Sequence, residues 1–331
     1  MQIKVGIIGG AGYTGGELLR ILVSHPSVTI LFAHSSSNGG NLISSVHTDM
    51  LGDTELLFAN TAEMEAQLSS IDVLFLCAGH GEGKKFLSNY TLADNTKVID
   101  LSHDFRLKDS ATQAGRNFVY GLPELHKKEI KSAKNVANPG CFATCVQLGL
   151  LPLFNKKLAT ADVHIQATTG STGAGQSLSP TTHFSWRNNN LSVYKAFEHQ
   201  HLGEIGENLA FASSSGIPNL NFVPLRGDFT RGILASMYTE CSLTLEEAYK
   251  VYEDYYKDQP FTHVSRTAID LKQVVNTNKC FIYLEKHGNQ LLIISIIDNL
   301  LKGASGQAVQ NMNLMFGLEE KEGLRLKGVG F

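Results

Sequence analysis

One cysteine of this sequence stands where nucleophilic chemistry is favoured. Cys141 follows Asn-Pro-Gly at residues 138–140 and precedes an apolar run with a helical pattern at residues 145–154. The proline and glycine turn the chain, so Cys141 is predicted to lie at a helix N-terminus. Unpaired backbone N–H groups and the helix dipole favour a thiolate there, and a thiolate can attack an acyl carbon. The alternative interpretation is a small buried residue at a helix start.

A pair of histidines supplies candidates for proton transfer. His199 and His201 are two residues apart, and in an extended segment they would point to the same face. Glu204 can hydrogen-bond one imidazole and select its tautomer. The alternatives are a surface pair and half of a metal site. A metal would need a third ligand, none is identifiable, and no metal is predicted.

Two arginines are candidates for anion binding. Arg106 follows a predicted strand at residues 97–101, and Arg231 precedes the strand-like residues 233–238. Either guanidinium could bind a carboxylate or phosphate through two parallel hydrogen bonds. Either could instead form a surface ion pair.

A glycine-rich motif near the N-terminus predicts a dinucleotide site. The pattern G-x-G-x-x-G begins at Gly10, after a predicted strand and before a predicted helix, which is the context that this motif requires. Gly10 permits a tight turn, Gly12 lets the backbone approach a pyrophosphate, and Gly15 allows close helix–strand packing. The predicted cofactor-binding residues of the motif are Gly10, Ala11, Gly12, Tyr13, Thr14 and Gly15.

The end of the second predicted strand favours NADP(H) over NAD(H). An NAD site usually has an Asp or Glu there to bind the ribose hydroxyls. Residues 33–38 contain no carboxylate, and the hydroxyls of Ser35 and Ser37 can hydrogen-bond a 2′-phosphate. A polar turn without a ligand is the alternative.

The elements that must position these residues fall into two classes. Strands predicted at residues 4–8, 28–33, 73–77 and 97–101 alternate with helices, which indicates an α/β half with a parallel, doubly wound Rossmann-type sheet. The second half has predicted strands at residues 164–169, 233–238, 281–286 and 291–298, and one clear helix at residues 243–256. Fewer helices separate these strands, so this half is predicted to be α+β with a mainly antiparallel sheet. Residues 303–316 predict a final helix packed on the first domain.

Composition excludes several classes of protein. The chain has 331 residues, of which 43% are hydrophobic and 18% charged, as in ordinary globular proteins of about two domains. A net charge of −3 provides no basic surface for nucleic acid. No apolar run is long enough to span a membrane, and no signal peptide is recognised. Five scattered cysteines fit a reducing cytoplasm.

Several segments together resemble the N-acetyl-gamma-glutamyl-phosphate reductases of arginine biosynthesis, over nearly the whole chain. The most specific are Asp-Phe-Arg at residues 104–106, Tyr-Gly-Leu-Pro-Glu at residues 120–124 and Asn-Pro-Gly-Cys at residues 138–141. The glycine motif, residues 170–175, His-Gln-His at residues 199–201 and residues 298–304 complete the pattern.

The resemblance implies an NADPH-dependent reductive dephosphorylation of an N-acyl-glutamyl 5-phosphate to the semialdehyde. It implies Cys141 as the nucleophile, His201 as the acid/base with His199 beside it, and Glu204 as the residue that orients the imidazole. It further implies a cofactor contact at Gly173 and substrate contacts at Arg106, Ser171 and Arg231. The implied domains are an NADP-binding domain (1–140 with 304–331) and a catalytic and dimerisation domain (141–303), in a homodimer or homotetramer.

The sequence departs from the family pattern at Gln200, Gly203, Gln176 and His103, among others. Because of these differences, the sequence does not determine which N-acyl group the substrate carries, and N-succinyl- or another N-acyl-glutamyl phosphate is an alternative substrate. Aspartate-semialdehyde dehydrogenase is the nearest alternative enzyme. An NADP-sensing regulator without catalysis and a cysteine hydrolase are the more distant ones.

Overall fold

The computed structural model describes residues 2–214 and 216–330 and divides into two units. The first unit runs up to Pro139 and resumes over Ala304–Arg325, and the second comprises Gly140–Gly303 and the chain from Leu326 onward. Residues 326–330, predicted as part of the first domain, therefore group with the second unit. The reason is that Asn276 Nδ2 donates to the Lys327 carbonyl at 2.8 Å.

The first unit is built on a sheet of mostly parallel strands. The strand order is β3-β2-β1-β4-β5-β8-β7-β6, and only the β6–β7 pair is antiparallel. Residues such as Val5 and Ile7 of the first strand are fully buried, as expected where helices cover both faces. The strands are β1 (Ile3–Ile8), β2 (Val28–His34), β3 (Phe58–Ala59), β4 (Val73–Leu76), β5 (Lys97–Asp100), β6 (Thr112–Gln113), β7 (Arg116–Tyr120) and β8 (Asn135–Ala137).

Local sequence explains the helices of this unit. The first buries Leu18 and Leu22 on one face, and the second begins with a reciprocal capping box between Asn60 and Glu63. The helices are α1 (Tyr13–Val23), α2 (Thr61–Gln67), α3 (Glu82–Asn89) and α4 (Pro123–Ser132).

The second unit is built on a mainly antiparallel sheet of order β10-β11-β9-β12-β15-β14-β13. The β9–β11 and β13–β14 pairs are parallel. Its strands are β9 (Val163–Thr169), β10 (Ser192–Val193), β11 (Leu220–Arg226), β12 (Ile233–Glu240), β13 (Thr262–Ser265), β14 (Cys280–His287) and β15 (Gln290–Ile297). Its helices are α5 (Cys141–Asn155), α6 (Phe184–Arg187), α7 (His201–Ser213) and α8 (Leu245–Tyr256). The last helix, α9 (Ser305–Phe316), belongs to the first unit and packs on α1 and α4.

The predicted fold class is confirmed: a parallel sheet with helices is followed by a mainly antiparallel one. The sequence interpretation missed β11, because Pro224 lacks the N–H that a central strand normally needs. It also missed α7, which begins within the histidine segment. In the described part of the chain, no helix is long and apolar enough to cross a membrane.

Candidate active site

The glycine motif forms the tight turn between β1 and α1. Gly9 adopts a left-handed conformation with φ +81°, and both Gly9 and Gly10 donate backbone hydrogen bonds to the His34 carbonyl. Gly12 is the residue before α1, and a Cβ added there would meet only the Gly9 carbonyl at 3.6 Å. Packing inside the unit therefore does not require glycine at position 12. The space beside it suits a close approach of the backbone to a phosphate.

Gly15, in contrast, is required by packing inside the unit. A Cβ at this position would lie 2.4 Å from the Gly9 carbonyl oxygen. His47 supports the same turn, because its Nε2 lies 2.8 Å from the Gly10 carbonyl oxygen and its ring covers Gly16. Sequence reasoning did not identify His47, which lies in an irregular segment without a recognisable motif.

The remaining motif residues line the start of α1. Tyr13 is 38% exposed, and Ala11 and Thr14 are half-buried. The Thr14 carbonyl accepts a hydrogen bond from the Ser305 hydroxyl at 2.8 Å, which ties α9 to this helix start. The first turn of α1 contains no acidic side chain that would repel a phosphate.

The turn after β2 contains two serines in different environments. Ser35 is buried at 5% exposure, and its hydroxyl accepts a 3.3 Å hydrogen bond from Asn38 Nδ2. Ser37 is exposed and accepts from the same amide at 3.0 Å. Ser37 is therefore the more accessible of the two predicted 2′-phosphate ligands.

Cys141 is the first residue of α5, as the sequence predicts, and it is half-buried. Gly140 precedes the helix in an extended conformation. Gly303 packs directly against the cysteine, since a Cβ on Gly303 would lie 2.9 Å from the Cys141 Cβ. The thiol thus stands at the positive end of a fifteen-residue helix with little free volume behind it.

Glu204 connects this turn to the histidine segment. Its Oε2 accepts a 3.1 Å hydrogen bond from the Gly140 backbone N–H, and its Oε1 lies 3.7 Å from His201 Nε2. Glu204 is only 2% exposed and His201 only 7%. A buried carboxylate at this distance can orient the imidazole ring of His201.

The histidine segment is not extended, so the premise that placed His199 and His201 on one face is wrong. Lys195 and Phe197 adopt left-handed conformations, with φ +47° and +63°, and His201 begins α7. The two rings nevertheless meet, with centroids 4.7 Å apart, because the turn folds them together.

His199 acts as an acceptor at the start of α7. Its Nδ1 accepts the backbone N–H of His201 at 3.2 Å, which requires an unprotonated Nδ1. The rings of Phe142, Tyr194 and Phe222 surround it, with centroids 5.4, 5.7 and 5.5 Å away. Burial, followed by the charge of Lys195, lowers the pKa of His199 to about 4. His199 is therefore neutral at physiological pH.

The two predicted anion-binding arginines are both held by protein groups. In the first unit, Arg106 is buried and donates to the Asn138 carbonyl at 2.9 Å and to the Leu101 carbonyl at 3.1 Å. In the second unit, Arg231 forms a bidentate ion pair with Asp298, at 3.0 and 3.2 Å. Both guanidinium planes are thereby fixed.

Ser171 and Gly173 lie in a short 3-10 helix after β9, spanning Ser171–Ala174. The Ser171 backbone N–H donates to the Phe229 carbonyl at 2.8 Å. A Cβ on Gly173 would come within 3.2 Å of the Thr169 hydroxyl. The loop is therefore ordered by its own contacts with the β11–β12 connection.

Two neighbours of the histidines were missed by sequence reasoning. Tyr194 packs edge-to-face against His199, and Arg226 lies over the Tyr194 ring, with its guanidinium carbon 4.7 Å from the centroid. Burial, and then the charge of Cys141, raises the pKa of Tyr194 to about 12. Arg226 ends strand β11, which the sequence did not predict, so the position of Arg226 could not be predicted either.

Among the described residues, no group of three or more His, Cys, Asp or Glu side chains is arranged to hold a metal.

Family models match both halves of the chain. Residues 4–133 match "Semialdehyde dehydrogenase, NAD binding domain", and residues 141–299 match "Semialdehyde dehydrogenase, dimerisation domain". The first match contains the glycine motif and the second begins at Cys141.

The chain is also similar to curated proteins along its full length. It is 58% identical over 330 residues to the N-acetyl-gamma-glutamyl-phosphate reductase of Flavobacterium johnsoniae, covering 100% of both chains. The corresponding protein of Bacteroides thetaiotaomicron is 55% identical with the same coverage.

Solved structures of lower identity share the fold. Aspartate semialdehyde dehydrogenase II of Vibrio cholerae, complexed with ASA, aligns with a TM-score of 0.71 at 15% identity, over 96% of this chain and 99% of that one. The aspartate semialdehyde dehydrogenase of Candida albicans with NADP aligns at 0.70 and 12% identity, over 95% and 98%. At these identities the likeness concerns the fold alone.

Proposed function

This chain belongs to the N-acetyl-gamma-glutamyl-phosphate reductase family, and we propose that it reduces N-acetyl-L-glutamyl 5-phosphate with NADPH through a thioester on Cys141. The products are N-acetyl-L-glutamate 5-semialdehyde and phosphate, a step of arginine biosynthesis. The observation that carries the proposal is the Glu204 carboxylate, which contacts both the turn before Cys141 and His201.

Cys141 is the proposed nucleophile. Its thiolate attacks the acyl carbon, the C–S bond forms, and the C–O bond to phosphate breaks with the electron pair leaving on phosphate. The start of α5 supports this step because its N–H groups and dipole stabilise negative charge on the sulfur. The tight contact with Gly303 limits the positions that the thiol can take.

His201 is the proposed acid/base. After hydride reaches the thioester carbon, the imidazolium protonates the resulting oxyanion. As the C–S bond breaks, the imidazole takes that proton back, and the aldehyde is released with the thiolate regenerated. Glu204, whose Oε1 lies 3.7 Å from His201 Nε2, is proposed to orient the imidazole for both transfers. His199, held neutral with its Nδ1 accepting a backbone N–H, is proposed to support His201 rather than to transfer protons.

The first unit fits a dinucleotide, and we propose NADPH as the one used. NADPH supplies the hydride. The open space beside Gly12 and the close packing at Gly15 match the needs of a pyrophosphate-binding turn. The absence of a carboxylate at residues 33–38, with Ser37 exposed, favours a 2′-phosphate over a bare ribose. Gly173 is proposed as a further cofactor contact.

Arg106, Ser171 and Arg231 are proposed to orient the substrate. The support is that both guanidinium planes are fixed, Arg106 by backbone carbonyls and Arg231 by Asp298. We further propose that the enzyme works in the cytoplasm as a homodimer or homotetramer. The match of residues 141–299 to a dimerisation domain supports the oligomer.

A steady-state assay of the reverse reaction tests the activity. The purified protein is mixed with phosphate, NADP and N-acetyl-glutamate semialdehyde, and NADPH formation is followed at 340 nm. We expect phosphate-dependent NADPH formation. N-succinyl-glutamate semialdehyde and aspartate semialdehyde are run in parallel at the same concentration. A higher kcat/KM with either would reassign the substrate, and no turnover with any of them would refute the proposed reaction.

A further inference from the structure

The guanidinium of Arg226 has fewer protein partners than the other arginines of the second unit, and the side chain that it contacts is Tyr194. Arg226 is half-buried at the end of β11, and its Nε is shielded from solvent without a hydrogen bond to any described residue. No carboxylate in residues 2–214 or 216–330 lies within ion-pair distance of it. Its guanidinium carbon lies 4.7 Å from the centroid of the Tyr194 ring, and the two side chains also form a hydrogen bond.

Two other arginines of the second unit, Arg231 and Arg187, have more hydrogen-bond and ion-pair partners than Arg226. Arg231 is neutralised by a bidentate ion pair with Asp298. Arg187 is buried and donates to several backbone carbonyls, the shortest bond being 2.7 Å to the carbonyl of Arg226 itself. Arg187 thus holds the backbone at position 226, while no carboxylate in the described part of the chain pairs with the Arg226 side chain. A half-buried guanidinium without a carboxylate partner raises the free energy of the folded protein unless an anion binds it.

A series of side-chain contacts links Arg226 to the residue that follows Cys141 in the chain. Its guanidinium lies over Tyr194, the Tyr194 ring meets His199 at 5.7 Å, and the His199 ring meets Phe142 at 5.4 Å. Phe142 is the residue next to Cys141. The electrostatics agree with this geometry: the charge of Cys141 contributes to the raised pKa of Tyr194, and the charge of Arg226 contributes to the lowered pKa of His199.

We propose that Arg226 binds an oxyanion of the substrate, a carboxylate or phosphoryl group, beside Cys141. The inference rests on the proposed function, whose substrate carries both kinds of oxyanion. A guanidinium presents N–H donors in a planar fork that matches either group. The Tyr194 ring covers one face of that plane and limits its rotation, so the donors along its edge are aimed in a defined direction. Arg226 is therefore a specificity-determining residue.

Kinetics of Arg226→Gln and Arg226→Lys in the reverse reaction test the role and identify the oxyanion. We expect Arg226→Gln to raise one KM by about 10- to 100-fold, as for loss of a charge-assisted hydrogen bond, while the KM for NADP stays within about two-fold. A raised KM for phosphate assigns the phosphoryl group, and a raised KM for the semialdehyde assigns its carboxylate. Arg226→Lys should recover part of the loss. Unchanged KM values for both, or a fall in kcat alone, would overturn the proposal.

Arg325→Gln is the matched control for loss of one positive charge. Arg325 lies in the first unit with its side chain 80% exposed, so its removal should leave every KM unchanged. Thermal unfolding of each variant shows whether it is folded. If Arg226→Gln does not fold, the charge-conserving Arg226→Lys variant carries the test, with a smaller rise expected in the same KM.

A second measurement does not depend on the substrate. Alkylation rates of Cys141, followed by peptide mapping, are compared for iodoacetate and iodoacetamide, which differ in carrying a carboxylate or a neutral amide. We expect the iodoacetate-to-iodoacetamide ratio to fall several-fold in Arg226→Gln. An unchanged ratio would remove the oxyanion site. A reduced ratio in a protein whose wild type turns over no glutamyl substrate would retain the site and refute only the proposed function.

Discussion

The Glu204 carboxylate accepts a hydrogen bond from the backbone N–H of Gly140 at 3.1 Å. This bond joins the first turn of α7 to the residue before Cys141, across 64 positions of sequence. The other oxygen of the same carboxylate lies 3.7 Å from His201 Nε2. One buried side chain therefore positions both the turn before Cys141, the proposed nucleophile, and His201, the proposed acid/base.

Cys141→Ser is expected to abolish turnover and leave NADPH binding nearly unchanged. A hydroxyl at the start of α5 cannot provide the thioester, and loss of the covalent path should cost several orders of magnitude in kcat. Steady-state turnover and fluorescence titration of NADPH measure the two effects. Retention of more than about a tenth of wild-type turnover would contradict the nucleophile assignment. Cys280→Ser is the control, since Cys280 is buried in β14.

His201→Asn should slow the chemical step by about 10²–10⁴-fold, the usual range for loss of a general acid/base. His199→Asn should cost less, because His199 is neutral and its Nδ1 is engaged with the His201 backbone. Single-turnover hydride transfer measures both variants. A larger loss at His199 would exchange the two roles, and no loss at either would exclude histidine acid/base catalysis.

His199 should make the folded state less stable in acid. Its pKa is lowered from 6.5 to about 4 by burial and by the charge of Lys195. Above pH 6.5 the imidazole is neutral in both states. Between pH 6.5 and 4 the unfolded chain binds a proton that the folded chain does not, so the free energy of unfolding falls as the pH falls. The melting temperature should fall less between pH 7.5 and pH 5 in His199→Gln than in the wild type. Equal drops would show that His199 does not carry this dependence.

The protein should bind NADPH more tightly than NADH, because no carboxylate follows β2 and Ser37 is exposed there. Ser37→Asp should weaken NADPH binding by about ten-fold through repulsion of the 2′-phosphate, with little effect on NADH. Fluorescence titration gives the dissociation constants. Ser70→Asp, at an exposed serine elsewhere in the first unit, should change neither. Equal wild-type affinities for the two cofactors would refute the preference.

Gly303→Ala should impair both activity and stability. The added Cβ would lie 2.7 Å from the Asn299 carbonyl and 2.9 Å from the Cys141 Cβ, so the thiol or its surroundings must shift. Overpacking of this kind typically costs about 1–3 kcal/mol, and we expect kcat to fall at least about ten-fold, as misplacement of a reacting group does. Gly206→Ala in α7 is the control. The nearest atom to its new Cβ would be Ile217 Cδ1 at 3.8 Å, so activity and melting temperature should hold.

Features encoded within short segments were predictable. The glycine motif, the helix start at Cys141 and the strands with continuous apolar runs depend on steric rules and periodicity that act over a few residues. The two classes of sheet followed from the alternation of those elements, and the nucleophile candidate followed from Pro139 and Gly140 before an apolar helix.

The partners of those residues were decided by tertiary structure. The sequence by itself determined which side chains are chemically able to act, because their types and local backbone are written in the chain. It did not determine that Lys195 and Phe197 turn left-handed and bring His199 onto His201, or that Pro224 lies inside β11 and carries Arg226 to Tyr194. Contacts between segments far apart in sequence depend on the packing of the whole unit, which outweighs local preference wherever burial and hydrogen bonding favour another conformation.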